Sequence, residues 1–140
     1  MPALNFNDQF VEAVESGKKP NTIRAMRKRP FKVGDRLYHY NRMRRPECRK
    51  LGESDAEIVQ GIEILRTALG VCFVYISETP NCDEETEQLS YFETAKLAER
   101  DGFRNIEEFY EWFIPKGEKD YFSGQLIAWP NTWLPASECN

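Results

Sequence analysis

Apolar residues along the 140-residue chain follow two different periods, and turn chemistry cuts them into short elements. Asn7 is placed to cap a first helix, with Phe6 and Val11 at the two ends of a hydrophobic staple. Phe10, Val11 and Val14 share one face of it, and Gly17 ends it. Thr22-Ile23-Arg24 reads as a short strand. Lys32-Val33-Gly34-Asp35 reads as a tight turn, because Gly and Asp tolerate positive φ. Arg36 to Asn41 alternates and is rich in aromatics, which predicts a strand. Arg42 to Gly52 has no periodicity and is expected to be a basic loop. Ile58 to Leu65 and Val71 to Ile76 read as strands, followed by an acidic loop over Ser77 to Gln88.

Ser90 and Glu93 form a capping box that opens a helix to about Arg100, with Gly102 as its stop. Asn105 and Glu108 open another, which carries Phe109, Trp112 and Phe113 on one face and ends at Pro115 and Gly117. Gln125 to Trp129 is the last strand. Neither a repeat nor a flexible linker divides the chain, so residues 1–140 are expected to form one domain. Short strands with few residues between them favour an α+β fold. Its mostly antiparallel sheet or small barrel would have helices to one side.

Charge changes this picture. The formal net charge of −4 hides an asymmetry. Residues 17–50 carry 13 basic and two acidic side chains, a net of +11, whereas residues 51–140 sum to −12. A local bias of that size points to a segment facing a polyanion. Tyr38, His39 and Tyr40 interleave with it, and aromatics among cations are what single-stranded nucleic acid uses. On a strand, Tyr38 and Tyr40 share one face and Leu37 and His39 the other, so only one set can line a cleft. The candidate phosphate- or base-binding residues are Lys18, Arg24, Arg27, Lys28, Arg36, Tyr38, Tyr40, Arg42, Arg44 and Arg45. Solvated surface charge is the plainer account of the same run.

Other classes are disfavoured. No apolar run approaches the roughly 18 residues that span a bilayer, and the N-terminus lacks the blocks of a signal peptide. Cys48, Cys72, Cys82 and Cys139 form no CxxC pair, and His39 is the single histidine. A zinc site or disulfide framework is not expected, and a reducing cytoplasm is the simplest compartment. No glycine-rich nucleotide-phosphate loop occurs, and the pattern calls for no cofactor, metal or obligate protein partner.

Several segments, in order and spacing, resemble a known family. They are Gly17-Lys18-Lys19-Pro20-Asn21-Thr22-Ile23-Arg24, the Lys32-Val33-Gly34-Asp35 turn, Cys48-Arg49-Lys50-Leu51-Gly52, Ala98-Glu99-Arg100-Asp101-Gly102-Phe103 and Gly124-Gln125-Leu126-Ile127-Ala128-Trp129. The pattern is similar to the ASCH domain, a relative of the PUA fold, over roughly residues 5–130. The resemblance implies a small, partly open β-barrel with flanking helices, a cleft lined by the Thr-Ile-Arg segment, and RNA or nucleotide ligands. One bacterial branch is an amidohydrolase of N4-acetylcytidine that uses a lysine, a threonine three residues on and a downstream acid. By that resemblance Lys19, Thr22 and Asp101 are the catalytic set, with Asp101 standing where the branch has glutamate. Other members are RNA binders, and ribonuclease activity is attributed to some.

The chemistry is coherent. A threonine hydroxyl needs a neighbour to take its proton, and a lysine can do so only if its pKa falls. Lys18 and Arg24 beside Lys19 favour the neutral amine, as burial would. A helix C-terminus raises the pKa of Asp101. Arg24 could anchor a phosphate or neutralise an oxyanion. Each residue has a plainer alternative: Thr22 as a strand residue, Lys19 as a phosphate contact, Asp101 as a turn residue, Arg24 as a structural ion pair. The aromatics Phe109, Trp112, Phe113 and Trp129 are expected in the core. A non-catalytic RNA-binding module is the alternative function. A metal-dependent ribonuclease ranks last, because no carboxylate cluster accompanies the basic segment.

Overall fold

The computed structural model describes residues 2–79 and 85–139. In chain order these form β1 (Ala3–Phe6), a 3-10 turn (Asp8–Phe10), α1 (Val11–Glu15), β2 (Asn21–Ala25), β3 (Arg36–Asn41), β4 (Arg49–Asp55), β5 (Ile58–Arg66), β6 (Cys72–Ser77), β7 (Thr86–Gln88), α2 (Tyr91–Arg100), α3 (Ile106–Phe113), β8 (Tyr121–Ala128), β9 (Leu134–Pro135) and a closing 3-10 turn (Ala136–Glu138). The fold is mixed α+β. Four strands pair in the order β1-β3-β4-β9 and five in the order β2-β8-β5-β6-β7. Among the described residues only β1 and β3 pair in parallel, and the other ladders are antiparallel. Of the antiparallel sheet or small, partly open barrel expected from sequence, the described residues form two mostly antiparallel sheets and no closed barrel.

Alternation decides which residues enter the core. In β3, Leu37, His39 and Asn41 are buried while Arg36, Tyr38 and Tyr40 lie on the outer, half-buried face. The tyrosines therefore do not share the core with His39. That ring is fully buried, stacked on Phe6 at 5.6 Å and edge-on to Trp129 at 4.5 Å.

Several sequence expectations are corrected, among them the last strand, since β8 starts at Tyr121 and β9 follows it. The first helix is shorter than predicted, and Asn7 makes no side-chain cap. Phe6 belongs instead to β1, whose every second residue is buried and which pairs with β3. The basic loop ends at Cys48, because Arg49 to Asp55 pair with β3 and bury Leu51. The acidic loop contributes β7 on the edge of β6, and its residues 80–84 lie outside the described set. The capping box of α2 forms as read: Glu93 N donates to Ser90 Oγ at 3.1 Å, and Ser90 N to Glu93 Oε1 at 3.0 Å. At α3 only half of the box forms, Glu108 N donating to Asn105 Oδ1 at 2.8 Å, while the Glu108 carboxylate pairs with Arg104.

Two features of this frame position a polar cluster. β2 lies against β8, with Thr22 opposite Ile127 and Arg24 opposite Gln125. Gly124 permits that approach, since any Cβ there would collide with the Arg24 carbonyl. The second feature is the end of α2. Gly102 N donates to Glu99 O at 3.0 Å and Phe103 N to Ala98 O at 2.9 Å, which is a Schellman closure. It needs a residue with φ of +94° at Gly102, and it leaves Asp101 as the C-cap, facing β2.

A buried lysine–aspartate pair beside a threonine

Lys19 emerges from the turn after α1, where its backbone N–H donates to Ala13 O at 2.9 Å. Its side chain runs inward. Nζ donates to Asp101 Oδ1 at 2.8 Å and to the Asp101 carbonyl at 2.6 Å, although the residues are 82 positions apart. Lys19 is 3% exposed and Asp101 2%. Lysine and aspartate are almost never this buried unless paired. Around Nζ lie the rings of Phe10, at 5.0 Å, and Phe6, at 5.8 Å.

Thr22 is buried on β2. Its Oγ accepts from Arg24 Nε at 3.1 Å, and among the described residues its hydroxyl hydrogen meets no acceptor. Arg24 also donates through Nη2 to the Asn5 carbonyl at 2.8 Å, and its guanidinium lies 4.9 Å from the Phe6 ring centre. Lys19, Thr22, Arg24 and Asp101 all line one partly open cavity of about 140 Å³, with Phe6, Phe10, Phe103 and Trp112 as its apolar walls. A cavity of that size accommodates a single ring.

Electrostatics follow from dryness. Burial is the main force lowering the pKa of Lys19, with nearby Arg24 acting in the same direction and Asp101 opposing. Burial also pushes Asp101 up to about 6, against the pull of Lys19 and Arg24. Desolvation, rather than the like charge of Lys18 or the helix dipole, is thus the leading cause at both groups. Arg24 is lowered only to about 10 and stays cationic.

The remaining candidates lie elsewhere. Arg36 bridges Glu53 and Asp55 on the outer face of β3 and β4, and Lys50 pairs with Glu53. Arg42 grips Asp8, and Arg49 grips Glu15. Tyr38 faces outward, with Lys50 Nζ 5.8 Å from its ring centre, and Tyr40 shares that outer face. Lys18, Arg27, Lys28, Arg44 and Arg45 are exposed. Much of the positive stretch is therefore answered by carboxylates of the same chain. Among the described residues no group of three or more His, Cys, Asp or Glu is arranged to hold a metal, and Cys48, Cys72 and Cys139 are free thiols.

Sequence reasoning missed Asn5, Phe6, Phe10, Phe103 and Trp112 as cavity walls. Trp112 is corrected most sharply: helical spacing places it with Phe109 and Phe113 in the core, yet it is 44% exposed and packs edge-on to Phe10 at 5.4 Å. A tryptophan left half in water at the rim of a polar cavity is the signal that structure adds. No helix among the described residues is long and apolar enough to cross a membrane. No protein-family model, curated protein or solved structure matches the chain.

Proposed function

We propose that this chain is an amidohydrolase of the ASCH type, with a PUA-like architecture, that removes the acyl group from an N4-acylated cytosine. The single observation that carries the reading is the hydrogen bonding of Lys19. A neutral amine has two N–H bonds and one lone pair. Nζ makes two bonds, to the carboxylate and carbonyl of Asp101, and burial lowers its pKa; once neutral it keeps both bonds and has its lone pair left to take a proton.

The reaction then runs in two halves. Lys19 Nζ lines the same cavity as Thr22 without a hydrogen bond to it in the free protein; in the reaction it takes the threonine proton as Oγ attacks the acyl carbonyl, and the tetrahedral adduct forms. Arg24, donating to the threonine oxygen, steadies that oxygen as its proton leaves. The C–N bond breaks as the Lys19 ammonium returns its proton to the departing exocyclic amine, leaving an acyl-threonine ester. Water, deprotonated by the same amine, adds to the ester carbonyl; the Oγ–acyl bond then breaks, the acyl group leaves as the carboxylic acid, and the Lys19 ammonium returns its proton to the threonine oxygen. Asp101 holds the amine in place and stabilises its ammonium form. Phe6, Phe10, Phe103 and Trp112 supply apolar walls for one planar ring and exclude water. Small cavity volume favours a single base over a polymer here.

The test is release of cytidine from N4-acetylcytidine, followed chromatographically for the wild type, Thr22→Val and Lys19→Met. Turnover is expected from the wild type, with loss of about 10²–10⁴-fold on removing the base and at least as much on removing the nucleophile. A wild type without turnover refutes the substrate, and activity that survives Thr22→Val refutes the mechanism. A second reading, a non-catalytic RNA-binding module, rests on exposed Lys18, Arg27, Lys28, Arg44 and Arg45, none of which has an ion-pair partner within 4.0 Å among the described residues. RNA affinity falling steeply with salt, without turnover, identifies that case.

A further inference from the structure

A second cleft, of about 600 Å³, opens beside the buried cavity and shares Asn5, Phe6 and Asn7 with it as common wall. Its outer side is formed by Asp8, Asn41, Arg42, Met43 and Arg45. Asn5 joins the two spaces chemically. Its backbone carbonyl accepts from Arg24 on the cavity side, and its side-chain oxygen accepts from Met43 N at 3.0 Å on the cleft side.

The loop on this outer side is held in an unusual shape. Arg42 and Arg44 have φ of +54° and +66°, a region that residues with a Cβ seldom occupy. Arg45 N closes the turn onto the Arg42 carbonyl at 3.2 Å. Arg42 presents its fork, Nε and Nη2, to the two oxygens of Asp8 at 3.1 and 2.8 Å. That bidentate geometry is equally suited to a phosphate. Asp8 also accepts from Asn41 Nδ2 at 3.0 Å, and Arg42, Asn41 and Arg45 together hold its carboxyl well below the usual carboxylate range. Arg45 stands beside this pair, exposed and without an ion pair of its own among the described residues. The cleft thus carries two arginines against a single carboxylate, next to a cavity sized for a base.

We propose that the Arg42–Arg45 cleft is a phosphate subsite, so that the ligand is a nucleotide rather than a free nucleoside, and that Asp8 occupies the Arg42 fork until a phosphate takes its place. The inference rests on the reading of the inner cavity as a cytosine pocket. A base in that cavity directs its sugar past Asn5 and Asn7, and a phosphate ester on the sugar meets Arg45 and the Arg42 fork. Displacement of Asp8 returns an exposed carboxylate to water, which costs little because it is already half in solvent.

Calorimetric titration of the intact protein with cytidine, cytidine 5′-monophosphate and cytidine 3′-monophosphate tests this. One monophosphate is expected to bind at least about tenfold tighter than cytidine at low salt, the better of the two reporting which ester the cleft receives. The gain is expected to shrink in Arg45→Ala and in Arg42→Ala, and to grow in Asp8→Asn, which removes the competing charge. All three positions are solvent-facing, and cytidine binding by each variant checks that the pocket is intact. Cytidine binding without any gain from phosphate overturns the subsite and leaves the base pocket standing. A gain that survives the double Arg42/Arg45 replacement overturns it too, since the phosphate then lies elsewhere. If none of the three ligands binds, the base pocket itself fails and this inference falls with it.

Discussion

Replacing Lys19 with methionine removes one partner of a buried ion pair and keeps most of the side-chain volume. Asp101 is then left 2% exposed with no cation on its carboxylate except nearby Arg24. Already in the intact pair, the rise of its pKa from 3.8 to about 6 corresponds to roughly 3 kcal/mol of desolvation not offset by its neighbours. Without Lys19 the pKa rises further. Breaking a buried pair in this way typically costs about 3–5 kcal/mol. The sign with pH follows from linkage. Asp101 has a folded-state pKa above its unfolded value, so its cost is absent below about pH 4 and complete above the folded pKa. Lys19→Met should therefore lose about 3–5 kcal/mol at pH 8 and only about 1 kcal/mol at pH 5, where Asp101 is protonated and loses little more than a neutral hydrogen bond. At this chain length 3 kcal/mol corresponds to about 10 °C in Tm. Urea melts at both pH values read the difference directly. Adding Asp101→Leu should recover much of the loss, because the uncompensated charge goes with it. A loss that is equal at the two pH values, or a double variant worse than the single, refutes the account of a dry, mutually dependent pair.

Two further outcomes follow from the same physics. His39 is buried against Phe6, Trp129 and Trp133, and its pKa is lowered to about 3, mainly by desolvation and secondarily by Arg24. Its folded pKa lies below the unfolded value, so it contributes stability above about pH 6.5 that is lost as pH falls toward 3; His39→Gln should flatten the acid limb of the stability–pH curve relative to wild type, and an unchanged limb contradicts the burial. Gly102→Ala should destabilise by about 1–3 kcal/mol, because φ is +94° and the new methyl would lie 3.0 Å from Phe10 and 3.3 Å from the Lys19 stem; denaturation that matches wild type contradicts the tight turn that presents Asp101.

Local chemistry made part of this molecule legible in advance. The Ser90–Glu93 box and Gly102 mark both ends of α2, because capping donors and a left-handed residue act within a few positions of themselves. Alternation in Arg36 to Asn41 separates two faces, and pairing then decides that Leu37 and His39 are the inner ones. β1 and β4 were not readable. Ala3–Phe6 is too short for its period to stand out, and Arg49–Asp55 contains a single large apolar residue, Leu51. Both strands exist because β3 offers them hydrogen bonds on its two edges. The ionic character of the basic stretch was visible as a sum. Its neutralisation was not, since Asp8 and Glu15 meet Arg42 and Arg49 only across 34 positions.

Lys19, Thr22, Arg24 and Asp101 could each be singled out by residue type, neighbours and resemblance. That Lys19 and Asp101 touch, and that both are dry, depends on the turn after α1 meeting the end of α2 beside β2. Residue order specifies which groups are available and where each local element starts and stops, because those forces act over a few bonds. Burial, and with it every pKa that matters at this site, is a property of the packed assembly. No linear pattern records which side chains will exclude water from one another.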